Sequence, residues 1–425
     1  MKVLFATLPY PTHFYPMVPL AWALRTAGHE VRVASQPDLT DVITGSGLTA
    51  VPVGRPEAES PVDDLDSAEL LEALHEDGSM YVYLFDLTGN DRTQWSDERL
   101  LSLEHIQTPA LLSVINSDPV VDDLVDFARG WRPDLVVWEP FTFAGAIAAR
   151  VTGAAHARLV YAPDATVRVR QEFLRAQAFR QAELREDPTA EWLERTLARF
   201  GQHFDEEILT GQWTIDPTPP GSRLAVGVRT VGMRYVPYNG PGAVPDWLRV
   251  PPSKRRVCVS LGLSGAVEEP AELISALVTA TADLDVEVVL TEDPALLDVL
   301  PELPGKFRLA GFVPLNDLLP TCAAIVHHGG PGTLTSAQLH AVPQVVFGQT
   351  SITEVSAELV EKTGAGLSVA EPGAEVLRDA ITRVVTDPSF LENARRVRAE
   401  MLAEASPRDI VPVLEKLTEE HRSVS

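Results

Sequence analysis

The first apolar run of the chain, Lys2-Val-Leu-Phe-Ala-Thr-Leu8, is continuous rather than alternating. That pattern predicts a strand buried on both faces. A Pro-rich loop from Pro9 to Pro16 follows, then a helical stretch from Met17 to Ala27 closed by Gly28-His29, then a second strand, Glu30-Val-Arg-Val-Ala34. Strand, helix and strand in that order imply a parallel pair joined by a right-handed crossover. Asp134-Leu-Val-Val-Trp138 repeats the strand pattern and runs into a helical stretch from Phe143 to Thr152. Residues 60–130 are acidic and helix-forming with scattered aromatics (Tyr81, Tyr83, Phe85, Trp95), predicting helices and loops inserted at the top of the sheet. Gln171 to Phe204 reads as one or two amphipathic helices with solvated charged faces.

Eight prolines between 217 and 252 cluster with Gly221, Gly240 and Gly242, which marks a linker. After it the alternation restarts. Arg256 to Leu261, Val286 to Thr291, Phe307 to Ala310 and Ala323 to His327 read as strands, with helices over Pro270 to Leu284 and Gly332 to His340. Two similar α/β halves therefore follow one another, with no short-period repeat. The divisions expected are 1–215, a linker over 216–252, 253–408 and a terminal helix over 409–425, with Ile410 to His421 as its candidate.

Composition narrows the partners. The 425 residues carry 60 Asp and Glu against 35 Lys and Arg, a net charge of −25, which disfavours nucleic acid and anionic membrane surfaces. Hydrophobic residues make up 45%, enough to exclude a disordered chain. No apolar run approaches ~18 residues, so no transmembrane helix is expected. The segment Val3 to Leu8 is too short for a secretion signal. Two cysteines, Cys258 and Cys322, form no disulfide framework and fit a cytoplasmic protein.

The most specific segment is Ala324-Ile-Val-His-His-Gly-Gly-Pro-Gly-Thr333. An apolar strand runs into a Gly-rich turn that opens a helix. Gly329, Gly330 and Gly332 let backbone approach a ligand, while the free N–H groups and positive end of the helix favour an anion. The spacing is neither that of a Walker loop nor that of the dinucleotide fingerprint. His328 is placed to donate to a phosphate oxygen, and Thr333 to cap the helix. An ordinary tight turn would need only the glycines; the adjacent His pair favours the anion site.

His-His-Gly-Gly-Pro-Gly-Thr, followed by Ala341-Val-Pro-Gln-Val345 and Lys362-Thr-Gly-Ala-Gly366, resembles the donor-binding region of nucleotide-sugar-dependent glycosyltransferases of the GT-B fold. Pro19-Leu-Ala-Trp-Ala23, Ala27 to Val33, Val236 to Pro241 and Val244 to Leu248 are similar to the bacterial macrolide and polyketide deoxysugar transferases of the desosaminyl and mycaminosyl branch. The resemblance implies two Rossmann-like domains with parallel sheets facing a central cleft. The acceptor would bind on the N-terminal side and a TDP-sugar on the C-terminal side, and the last helix would cross back to the first domain. It implies an inverting transfer to a hydrophobic aglycone, with no metal and no cofactor beyond the donor itself.

Onto this sequence the resemblance places His13 as catalytic base and Glu139 as the carboxylate orienting it, with Asp118 in reserve. Gly262, Leu263 and Ser264 would form the other wall of the diphosphate site. Phe312 would stack on the pyrimidine and Val313 supply a backbone contact. The donor sugar's hydroxyls would face Ile352 and Thr353 where the family usually has a carboxylate–polar pair, with Gln349, Thr350, Ser351 and Glu354 nearby. A hydroxyl facing Ile352 would lose a charge-assisted bond worth ~1.5–3 kcal/mol, so a donor lacking ring hydroxyls is expected.

Two alternatives stay open. Some relatives need a cytochrome-P450-like auxiliary protein, for which Met80 to Phe85 and Trp95 to Ile106 offer aromatic surface; the same residues could line the acceptor cleft. A sugar-nucleotide epimerase shares the two-domain fold. Assembly into a homodimer stays open as well.

Overall fold

Residues 1–56, 97–262, 270–291, 303–347 and 351–422 are described by a computed structural model of the protein. Their strands form two all-parallel sheets. The first contains β1 (Lys2–Ala6), β2 (Glu30–Ser35), β3 (Ala50–Pro52), β4 (Leu135–Trp138), β5 (Ala155–Leu159), β6 (Trp213–Asp216) and β7 (Thr230–Gly232) in the order 3-2-1-4-5-6-7. The second contains β8 (Arg255–Ser260), β9 (Val286–Leu290), β10 (Phe307–Leu309), β11 (Cys322–His327), β12 (Gln344–Val346) and β13 (Gly366–Ser368) in the order 10-9-8-11-12-13. In each sheet the order reverses beside its first strand, between β1 and β4 and between β8 and β11. Such switch points open a crevice at the carboxyl ends of the two strands, because their crossovers leave in opposite directions.

Alternation along β1 explains why its run is apolar throughout. Val3 and Phe5 face one core with the helix Val18–Thr26, whereas Leu4 and Ala6 face another with the helices Asp118–Trp131 and Phe143–Thr152. The second sheet divides in the same way, Val257 and Val259 on one face and Cys258 on the other.

The molecule separates into two compact units, Met1–Tyr238 with Ala405–Ser425, and Asn239–Glu404. The stretch expected as a linker over 216–252 therefore differs from what is found. Its first part supplies β7 at the edge of the first sheet, and Tyr238 packs edge-on against Tyr15 at 5.2 Å. A three-residue edge strand among prolines and glycines is too short to leave a periodic signal. The terminal helix runs Pro407–His421 and lies against β5 and the helix Val18–Thr26. A capping box starts it, with Ser406 and Asp409 exchanging side-chain and backbone bonds, and Pro407 follows at its first position.

The segment expected as inserted helices yields Asp97–Gln107 and Asp118–Trp131. Tyr81, Tyr83, Phe85, Trp95 and the stretch Met80 to Phe85 lie outside the described residues. No helix among the described residues is long and apolar enough to cross a membrane.

Ile410, Val411, Leu414 and Leu417 bury the terminal helix in the core on one face of the first sheet. Leu414→Ala is expected to destabilise the fold by about 2–5 kcal/mol, read as a lower urea midpoint, because a fully buried side chain leaves a cavity.

Candidate active site

At the first switch point β1 and β4 are in register, Ala6 opposite Trp138. The chain leaves both strands at the same edge, and the Glu139 amide still bonds the Ala6 carbonyl at 3.2 Å. Beyond β1 a single helical turn, Pro11–Phe14, is anchored by the fully buried Phe14, and the neighbouring His13 projects from it. Its Nδ1 lies 3.1 Å from Glu139 Oε2. Glu139 is completely buried. A buried carboxylate needs donors on both oxygens, and Oε1 accepts the Phe141 amide at 3.2 Å and the Thr142 hydroxyl. Glu139 thus serves both as a turn acceptor ahead of the helix Phe143–Thr152 and as the partner of His13.

In its Nδ1–H tautomer His13 donates to Glu139 Oε2 and carries its lone pair on Nε2. The His13 side chain keeps 20% of its exposure. Asp118, the reserve orienting group, is not at this site. It pairs with Arg199 at the exposed start of its helix.

At the second switch point β8 and β11 are in register, Ser260 opposite His327. The two imidazoles that follow have separate jobs. His327 is fully buried; its Nε2 donates to Gln344 Oε1 at 2.9 Å and its Nδ1 accepts the Gly329 amide at 3.1 Å. Burial, with a smaller push from His328, lowers its pKa to about 3, so it is a neutral strut between strand and turn. His328 packs between two glycines. A Cβ on Gly262 would fall 2.2 Å from its Cε1, and one on Gly330 would fall 2.7 Å from its Nε2. Gly262 also holds a φ of +86°, so a side chain there is excluded twice. Burial keeps the His328 imidazole below its usual pKa.

The helix that follows is Pro331–Leu339, with Gly330 at its N-cap and no side-chain cap. Thr333 is therefore not the cap but the third helical residue. Gly332 and Thr333 present backbone N–H groups in the first turn, where a helix supplies no partner of its own. Phe312 follows β10 and is half-exposed rather than part of the core, beside Gly242. Val313 turns its side chain inward against Leu318 and Leu319. Ser264 and Gln349, and the side chains of Ile352, Thr353 and Glu354, lie outside the described residues.

Sequence reasoning passed over Thr142, the strut role of His327 and Tyr161, whose ring stands 4.9 Å from that of His13. Only His327 left a signal, as the last residue of a buried strand.

The family described as "Erythromycin biosynthesis protein CIII-like, N-terminal domain" matches residues 22–262, and its C-terminal domain matches residues 275–417. The chain belongs to this family. It is a glycosyltransferase of the GT-B fold. Among its relatives is the 10-deoxymethynolide desosaminyltransferase of Streptomyces venezuelae, 47% identical over 99% of this chain and 98% of that protein. Solved relatives include the spinosyn forosaminyltransferase SpnP, 39% identical with a TM-score of 0.80 over 99% of both chains. The glycosyltransferase VinC in complex with dTDP is 35% identical with a TM-score of 0.85, covering 99% of this chain and all of that one.

Two buried imidazoles of this family member tie stability to pH. His156 in the first unit and His327 in the second are both pushed down to about 3, chiefly by burial. Unfolded, each takes a proton below about 6.5, so their stabilisation is complete above that pH and shrinks as pH falls towards 3. Each is expected to contribute a slope of up to about 1.4 kcal/mol per pH unit in that window. Urea midpoints at pH 7.5 and 5 should differ accordingly, and His327→Gln should flatten the trend.

Proposed function

We propose that this glycosyltransferase moves a deoxysugar from a thymidine diphosphate sugar to a hydroxyl of a large apolar polyketide or macrolide-type aglycone, with inversion at the anomeric carbon. The observation that carries the reading is the His13 Nδ1 contact to a fully buried, fully satisfied Glu139, which leaves Nε2 with its lone pair. The dTDP complex of one solved relative and the desosaminyl transfer of another support the donor and acceptor classes. A cytoplasmic reaction fits Cys258 and Cys322 being thiols rather than a disulfide.

In this mechanism Nε2 of His13 removes the acceptor's proton as that oxygen attacks the anomeric carbon. The bond from that carbon to the diphosphate oxygen breaks, and the electron pair leaves with the diphosphate. Glu139 stabilises the imidazolium that forms, as a buried orienting carboxylate does in other general-base dyads. The growing phosphate charge is met by His328 and by the amides of Gly332 and Thr333 at the helix start. Gly262 and Gly330 act indirectly, by leaving room for the His328 ring. Phe312, exposed at the end of β10, would stack on the pyrimidine, with the Val313 backbone reading it. Ser264, Gln349 and Glu354 complete the proposed donor contacts.

His13→Ala should lower turnover by about 10²- to 10⁴-fold while dTDP binding stays within about twofold, and Glu139→Gln should act on turnover in the same direction. Product formation followed by mass spectrometry and titration calorimetry with dTDP separate the two effects. Full activity of His13→Ala would reject the base. Epimerisation or hydrolysis of the donor without acceptor would instead favour an epimerase.

The hydrophobic Ile352 in place of a carboxylate predicts a donor preference. Di- or trideoxy sugars should exceed a fully hydroxylated hexose in kcat/KM by about 10-fold or more, the value of one charge-assisted hydrogen bond. Equal or reversed turnover would remove that explanation.

A further inference from the structure

Three loops, not two, surround the His13 imidazole. β4 and β5 are in register, Trp138 opposite Arg158, so the chain leaving β5 runs beside Glu139. It brings the Tyr161 ring to 4.9 Å from that of His13 at an interplanar angle of 68°. The other rings nearby, Tyr10 and Phe141, stand farther off at 6.2 and 6.3 Å.

The loop carrying Tyr161 is braced at both ends. Arg158, at the end of β5, is 1% exposed; its guanidinium pairs with Asp164 and donates to Thr214 Oγ1 at 3.1 Å. Asp164 in turn accepts from the Thr166 hydroxyl at 3.1 Å and from the Val167 amide, which starts the helix Ala165–Ala178. Breaking a buried pair strands a charge, so the five residues between its members are held in place.

An imidazole has a broad, nearly two-fold preference about its last torsion, and one hydrogen bond fixes it incompletely. A ring packed against its side removes the remaining freedom. We propose that Tyr161 is a positioning residue: its ring holds the His13 imidazole with Nδ1 on Glu139 and Nε2 outward, and keeps water from the Nδ1–carboxylate contact. The proposal rests on the reading of His13 as base. Burial, reinforced by the Glu139 charge, pushes the Tyr161 phenol well above its usual pKa, so no second anion forms beside the carboxylate. The titratable groups facing His13 among the described residues are Glu139, Tyr10 and Tyr161.

Tyr161→Ala and Tyr161→Phe test it. The alanine variant should lose about 10- to 100-fold in kcat, the cost of a displaced catalytic group, while KM for the TDP-sugar stays within about twofold. The limb of its pH–rate profile that reports His13 should move. Tyr161→Phe keeps the ring and should restore both kcat and that limb. Nitrogen NMR of the resting enzyme should give a single Nδ1–H tautomer for His13 in the wild type and in Tyr161→Phe, and a mixture in Tyr161→Ala. If the alanine variant fails to fold, Tyr161→Leu takes its place in every measurement. Wild-type kcat together with a single tautomer in the alanine variant would overturn the proposal. So would a phenylalanine variant as impaired as the alanine one, since the hydroxyl would then be responsible. The base reading fails separately, through retained turnover of His13→Ala, and the tautomer measurement does not depend on it.

Discussion

The reversal of strand order beside the first strand of each sheet is the constraint on which the candidate site residues of each unit depend. Where neighbouring parallel strands send their crossovers to opposite faces, no helix covers their carboxyl ends. The chain emerging there is held by the register of the strands yet open to a ligand. In the first sheet that geometry sets His13 and Glu139 side by side although 126 positions separate them in sequence. In the second it sets Gly262 against His328, from the ends of β8 and β11.

The two sets of residues are made rigid in different ways. In the first unit the rigidity is polar. Glu139 is buried completely, its oxygens are shared among His13, the Phe141 amide and Thr142, and a satisfied buried carboxylate gains nothing by moving. In the second unit it is steric. The His328 ring fills the space that two absent side chains would take, and His327 ties the turn to Gln344 of the neighbouring strand. In the proposed mechanism a charge appears on the His13 imidazole, which calls for a fixed counter-charge, and another on the departing diphosphate, which calls for donors already aimed.

The contrast between the two adjacent histidines illustrates how little residue type alone decides. His327 ends a strand and points into the core, where burial forbids its charge. His328, one position later, belongs to the turn and packs on glycines. The strand ends at His327, so the two neighbours belong to different local structures although both rings are buried.

Continuous apolar runs and the strand–helix alternation that restarts after the Pro-rich stretch were sufficient to assign two α/β halves, because those signals are local and periodic. The same local signals could not locate the end of the first unit. β7 is three residues long and joins its sheet only through pairing with β6. Nor could they separate Glu139 from Asp118 as the partner of His13, since both are acidic residues near a helix start. Register between β1 and β4 made that choice, and it likewise brought Tyr161 to the imidazole through β5. Periodicity along the chain thus determined which elements form; distances between residues far apart in sequence were decided by strand order and register, which only the packed sheet possesses.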